Sequence, residues 1–267
     1  VTFYKRITNR LGWIFKVSFA LGNSFGTRSK MIFGGLWLLI TDSGKSRLSF
    51  EVPIHHFGKT QNFRFEDISD FGLFDEVFLS DNYPLNEDDK IDVIFDIGAN
   101  VGVSTLYFKM RYPEARVYCY EPDPDNFKRL STLATKLNYV KAHDIAVWSE
   151  NTELTFYADP HRGSSSSAIK IRERQNQIQV QAASLDEVVQ NTSENHIDIL
   201  KVDIEGAEEA VFSTWKQIIP VTYLLGEIHG DLCDADFVID AIKKQFKTIE
   251  LSPFNDGSRF YVVGSHS

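Results

Sequence analysis

The stretch "IDVIFDIGANVG", Ile91 to Gly102, limits the fold more than any other part of the chain. An apolar run stops abruptly in small residues, and a segment with helical spacing of apolar residues, "VSTLYFKMRY", follows at once. That is a buried strand feeding a helix through a tight turn. The pattern then repeats. "RVYCYEP" reads as a second strand, and its helix "DNFKRLSTLATKL" opens with Pro124 in a favourable first-turn position. "YVKAHDIAVW" reads as a third strand, "IDILKVDIEG" as a fourth with the helix "AEEAVFSTWKQI", and "VTYLLGEIHG" as a fifth with the helix "DADFVIDAIKKQF". "TELTFYAD" and "IQVQAAS" form a β excursion around the loop "PHRGSSSSA". Ser184 with Glu187 three residues on is a capping-box signature for a short helix. "KTIELS" and "RFYVVGS" close the chain as an edge hairpin. Strand and helix alternating at these lengths predict an α/β chain with a doubly wound sheet covered by helices on both faces.

Residues 1–90 differ in character and are expected to form an N-terminal extension to a main domain at 91–267. Lys5, Arg6, Arg10 and Lys16 punctuate the first apolar run, and "MIFGGLWLLI" follows a small-residue turn. The second run is too short to cross a bilayer core of about 30 Å. The first is broken by Lys16 and lacks an A-x-A site, so it is not read as a signal peptide. Packing against the main domain or a partner subunit, a homodimer for example, is the favoured expectation. Peripheral contact with an anionic membrane through residues 1–40 is the lesser one. Arg47 to Pro53 and Thr60 to Phe65 alternate as an antiparallel pair, with "HHFGKT" as the turn. His55 and His56 fall in that turn and are given no metal.

At 267 residues and 43% hydrophobic, the chain can bury one full core and a small appendage. A net charge of -9 argues against a nucleic-acid footprint. Cys119 and Cys233 have no C-x-x-C or zinc spacing, so reduced thiols of a cytoplasmic protein are expected. Neither a phosphate-binding G-x-x-x-x-G-K-[ST] nor a hydrolase G-x-S-x-G occurs.

Ligands of doubly wound sheets bind outside the carboxyl ends of the strands. That rule selects Asp96 to Gly102, Glu121, Asp144, Asp203 to Glu205 and Glu227 to His229. Gly98 and Gly102 would allow close backbone approach where a Cβ would block it. The run reads D-x-G-x-N-x-G rather than the dinucleotide G-x-G-x-x-G. Asp96 would repel a pyrophosphate and suit an ammonium group, which S-adenosylmethionine carries and NAD lacks. Glu121 is placed to accept both ribose hydroxyls of an adenosine cofactor, and Asp144 to accept from the adenine amine or simply to end a strand in a turn.

"FDIGANVG", "YEPDPDNF", "LKVDIEGAEEAVF" and "LLGEIHG", in this order, resemble the FkbM-type methyltransferases from about Arg47 to the C-terminus. The resemblance implies a Rossmann-like methyltransferase fold, a mostly parallel seven-stranded sheet with an antiparallel last strand. It implies S-adenosyl-L-methionine as donor, S-adenosyl-L-homocysteine as product, and transfer to a hydroxyl oxygen in polysaccharide or natural-product assembly. By position, Asp96, Gly98, Asn100 and Gly102 match the methionine-side loop and Glu121 the ribose contact. The first forty residues have no counterpart.

An alcohol acceptor loses a proton during or after attack, so a base helps. His229 is the candidate, because an ordinary imidazole is available in neutral form near pH 7. Asp203 is expected to face the cofactor, Glu205 to orient His229 or the acceptor, Glu227 to meet the acceptor, and Glu208 to favour a helix N-terminus. Asp203, Glu205, Glu227 and His229 also make a conceivable hard-ligand set, but their spacing does not require a metal and none is expected. Arg162, Ser164 and Ser165, with Lys170, Arg172 and Arg174, are expected either to close over an acidic or phosphorylated sugar or to form a solvated linker. Two other classes stay open: a NAD(P)-dependent oxidoreductase, disfavoured by the missing third glycine, and a non-catalytic module binding an adenosyl cofactor or a glycan.

Overall fold

The computed structural model describes residues 3–41, 49–80, 82–85, 89–159, 167–171, 173, 175–254 and 257–266. They divide into two compact units. One holds the chain through Asn82 together with Leu106–Pro113, and the other holds Tyr83–Thr105 and nearly everything from Glu114 onward.

In the first unit, helices α1 (Phe3–Leu21) and α2 (Phe25–Thr41) precede a hairpin of β1 (Phe50–His56) and β2 (Lys59–Phe65), and α3 (Ser69–Leu79) follows. Gly35 of α2 lets the helices pack closely, because a Cβ there would stand 2.9 Å from Ile14. The hairpin turns on Phe57 and Gly58, both at positive φ, as a tight two-residue turn demands. His55 and His56 therefore belong to the strand rather than the turn, and His55 Nδ1 lies 3.0 Å from Thr60 Oγ1. An aromatic cluster forms the core here, with ring centroids 4.6 Å apart for Phe65–Phe71 and 4.8 Å for Phe63–Phe74. Among the described residues, no helix is long and apolar enough to cross a membrane.

The second unit carries the alternation. Strands β3 (Val93–Ile97), β4 (Arg116–Tyr120) and β5 (Val140–His143) come first, with α5 (Pro124–Ala134) between the last two, while α4 (Val103–Arg111), which follows β3 in the chain, falls mostly in the first unit. After β6 (Ala146–Trp148), β7 (Thr152–Ala158), β8 (Asn176–Ser184) and α6 (Leu185–Gln190), the chain returns as β9 (Ile197–Val202), α7 (Glu208–Thr214), β10 (Val221–His229), α8 (Ala235–Lys243), β11 (Thr248–Pro253) and β12 (Arg259–Ser265). The main sheet runs β11-β12-β10-β9-β3-β4-β5. Only β12 opposes its neighbours, so the sheet is the seven-stranded, mostly parallel one expected. The order in which strands are added reverses between β3 and β9, which run parallel, and the switch-point crevice lies there.

Local signals hold where they were strongest. Asp123 caps α5 by accepting from the amides of Asp125 and Asn126, with Pro124 just inside. Ser184 accepts from the Glu187 amide at 3.2 Å, and Asp234 caps α8. The expected third strand is corrected: it is two. β5 ends at His143 on the sheet edge, and β6 joins a separate three-stranded sheet of order β6-β8-β7, pairing Ala146 with Ala182. Apolar residues continue across the break, so periodicity alone could not reveal the change of sheet. Central strands carry the burial, with Phe95 wholly enclosed and stacked on Tyr118 at 5.0 Å. Phe95→Ala should cost about 3–5 kcal/mol in denaturant unfolding, whereas Phe237→Ala, at an exposed position on α8, should change stability by less than about 1 kcal/mol.

Candidate active site

Strand β9 carries two charged residues, Asp198 near its start and Lys201 near its end, and Lys201 is buried. Its ammonium donates to the Gly98 carbonyl at 2.7 Å and lies 3.4 Å from Asp96 Oδ1 and 3.6 Å from Asp203 Oδ2. Burial opposes the charge, but Asp96 and Asp203 outweigh it and the pKa is raised. The ammonium thus ties the loop after β3 to the loop after β9.

This arrangement changes the reading of the β3 loop. Asp96 is wholly buried, and its Oδ2 accepts from Ser104 at 2.8 Å and Thr105 at 2.7 Å at the start of α4. Its carboxylate ties the end of β3 to the first turn of α4. The glycines also answer to protein. A Cβ on Gly98 (φ +76) would stand 1.8 Å from the Asp203 carbonyl, and one on Gly102 (φ +91) 2.8 Å from Leu133. Asn100 takes a left-handed conformation at φ 49, and its buried Oδ1 makes no hydrogen bond among the described residues.

Glu121 follows β4 directly. Its Oε2 accepts the Asn100 amide and its Oε1 the Asp123 amide, both at 2.9 Å. Burial pushes its carboxyl up to about 8. The group thereby organises the loop beside it. Asp144 is exposed in the turn after β5, while the neighbouring His143 stacks on Tyr120 at 4.9 Å. His143 Nε2 is buried without a hydrogen bond among the described residues. Sequence reasoning passed over His143 in favour of the carboxylate next to it.

The acid–imidazole cluster lies at the ends of β9 and β10. His229 is 1% exposed, and its Nδ1 donates to Glu208 at 2.9 Å. Nε2 faces Glu227 at 3.3 Å, Glu205 at 3.4 Å and Asp203 at 3.9 Å. Burial works against protonation, but the bond to Glu208 and the charges of Glu208, Glu205 and Asp203 raise the pKa to about 10. That direction favours the charged imidazole over the neutral one expected from the sequence. Two carboxylates orient the ring, Glu205 as expected and Glu208 in addition to its place in the first turn of α7. Glu208, wholly buried, fixes the ring and also receives the Ile204 and Gly206 amides at 3.3 Å, while Glu205 meets the opposite ring nitrogen.

Arg259 of β12, paired with His229 in register, was not anticipated. It clamps Asp231 at 2.8 and 3.0 Å and reaches Glu227 at 3.4 Å and Glu205 at 3.9 Å. Ligand atoms of Asp203, Glu205 and His229 all lie within 4.8 Å of one another, so these three could hold a divalent cation. Arg162, Ser164, Ser165, Arg172 and Arg174 lie outside the described residues. Lys170 is exposed and pairs with Glu173 at 3.2 Å.

Residues 96–252, more than half of the chain, match the Methyltransferase FkbM domain. The chain belongs to the FkbM methyltransferase family. Among its relatives is Methyltransferase 1 of Beauveria bassiana, 25% identical over 192 residues, with 62% of this chain and 77% of the relative covered. The 2-O-methyltransferase NoeI of Sinorhizobium fredii is 24% identical over 176 residues, covering 60% and 72%. The hexuronic acid methyltransferase AglP of Haloferax volcanii is 23% identical over 180 residues, covering 67% and 72%. Membership of this family sets the oxidoreductase reading aside.

The cluster makes a pH statement. A raised His229 pKa contributes stability that is fully present below the unfolded value of about 6.5 and is lost as pH rises through about 10. Imidazole NMR should find His229 protonated at pH 8. In Glu208→Gln, which keeps an acceptor oxygen but no charge, its pKa should fall toward the ordinary value. An unchanged titration in that variant would contradict the assignment of Glu208.

Proposed function

We propose that the chain transfers a methyl group from S-adenosyl-L-methionine to a hydroxyl oxygen of a sugar or natural-product acceptor. The observation that carries this reading is the Glu205 carboxylate held 3.4 Å from the His229 imidazole, on the same sheet edge as the Asp96–Gly102 loop. An adenosyl group fits the residues present. The Glu121 carboxyl oxygens have lone pairs left for a ribose diol, and the orphaned Asn100 Oδ1 and His143 Nε2 offer partners for polar ligand atoms. Asp203 lies between this half and the acid cluster, bridging Lys201 and His229. When bound, S-adenosyl-L-methionine supplies a sulfonium methyl group and leaves as S-adenosyl-L-homocysteine.

The chain's own work is placement and proton handling. The acceptor's O–C bond forms as the S–C bond breaks, and the hydroxyl proton passes to the Glu205 carboxylate. A carboxylate suffices, because an oxygen that has gained a methyl group while still holding its proton is strongly acidic. His229, expected as the base, instead serves as the charged donor. With Nδ1 fixed by Glu208, its Nε2–H faces the oxygens of Glu205 and Glu227 and holds them in position. Arg259 balances the remaining charge from the neighbouring strand. The relatives that bear the names 2-O-methyltransferase and hexuronic acid methyltransferase support a sugar acceptor. The basic residues Arg162, Lys170, Arg172 and Arg174 make a uronic acid or a phosphorylated sugar the first class to try.

Methyl-labelled S-adenosyl-L-methionine and a panel of uronic acids, hexoses and sugar phosphates test this. The wild-type chain should label at least one acceptor. Glu205→Gln should lower kcat by about 10²–10⁴-fold while leaving S-adenosyl-L-homocysteine affinity within about threefold. Full activity in that variant would overturn Glu205 as proton acceptor, and cofactor binding with no labelled acceptor would favour a binding module. Activity lost in EDTA and restored by Mg²⁺ would instead assign Asp203, Glu205 and His229 to a cation.

A further inference from the structure

The α1–α2 hairpin has an apolar face that its own unit does not cover. Ile14, Val17 and Leu21 of α1 and Met31, Gly35 and Leu38 of α2 are buried, which accounts for one side of each helix. On the other side of α2, Lys30, Phe33, Trp37 and Ile40 are all exposed, at spacings of three and four residues. They form one stripe of the helix. Phe33 is 72% exposed and Ile40 78%. The outward stripe of α1 carries Lys5, Phe15, Lys16 and Phe19, and Phe25 at the bend is 87% exposed. Arg28 of α2 lies over the Phe19 ring at 5.8 Å, bringing the two stripes together. Soluble monomers rarely leave so many large apolar side chains side by side in water.

The charge of the segment says what covers them. Residues 1–41 contain six Lys or Arg and no Asp or Glu, in a chain whose net charge is -9. Lys16 is paired with Asp75, but Lys5 and Lys30 stand exposed on the stripes themselves. A second copy meeting this face about a two-fold axis would set basic hairpin against basic hairpin, with no acidic residue in the segment to offset them. A surface that offers negative charge beside hydrocarbon fits both features. Aromatic rings would enter the headgroup boundary while lysine stems reach back to anionic heads. We propose that the outward face of the α1–α2 hairpin docks on an anionic lipid surface, lying in the plane of the interface without crossing it.

The test uses the full chain and sedimentation with vesicles of phosphatidylcholine, with or without phosphatidylglycerol. Binding should be about tenfold or more tighter to the phosphatidylglycerol vesicles and should weaken as salt shortens the screening length. The double variant Phe33→Ser, Trp37→Ser should weaken binding about tenfold or more with an unchanged melting temperature, because both positions are exposed. Equal binding to both vesicle types, no binding, or no effect of the double variant would overturn the proposal. So would a concentration-dependent dimer, seen by light scattering without lipid, that the double variant abolishes. The proposal does not rest on methyl transfer, and S-adenosyl-L-homocysteine binding measured on the same sample separates the two failures.

Discussion

An ammonium group inside a parallel sheet is the constraint around which the site is built. Left alone there, Lys201 would cost several kcal/mol, so strand β9 can exist in its observed register only if opposite charge arrives with it. Asp96 arrives from the adjacent strand in direct register, and Asp203 from the loop two residues on. The Gly98 carbonyl takes a further ammonium hydrogen, and Gly98 must lack a Cβ because the Asp203 carbonyl passes over it. Asp96 then draws Ser104 and Thr105 onto itself and sets the start of α4. One buried pair thereby fixes a loop, a helix start and the carboxylate that borders the acid cluster.

The acid cluster repeats the same physics with a different cation. The carboxylates of Asp203, Glu205, Glu208 and Glu227 would repel one another, and a charged His229, with Lys201 and Arg259, offsets that repulsion. The division of roles follows from burial. Glu208, sealed and bonded to two loop amides, is locked to one ring nitrogen, while Glu205, at φ 52 on the loop, is the more accessible member. A proton acceptor needs that access, and a positioning group does not.

Much of this was legible in the residues. Strand and helix periods pointed to the sheet, and the strand ends gathered the candidate residues, because a doubly wound sheet collects its loops on one edge. Reading failed where a residue's partner comes from far along the chain. Nothing in "FDIGANVG" reveals that Lys201 lies beside Asp96. Yet a lone lysine in "IDILKVDIEG" was itself a signal, since such a charge must be paired. Arg259 was hidden in an apparent edge hairpin, and only the insertion of β12 beside β10 brings it to His229. The exposed side of α2 was equally out of reach, because an apolar decapeptide does not say which of its faces the fold will cover.

The central claim is that the edge formed by the β3 loop, Glu121 and Asp203 receives an adenosyl sulfonium cofactor. Calorimetric titration of the full chain with S-adenosyl-L-homocysteine, with NAD as the parallel ligand, tests it most directly. The account predicts binding of S-adenosyl-L-homocysteine on the order of micromolar and no heat from NAD. Binding of NAD in its place, or silence from S-adenosyl-L-homocysteine in the wild-type chain, would contradict it.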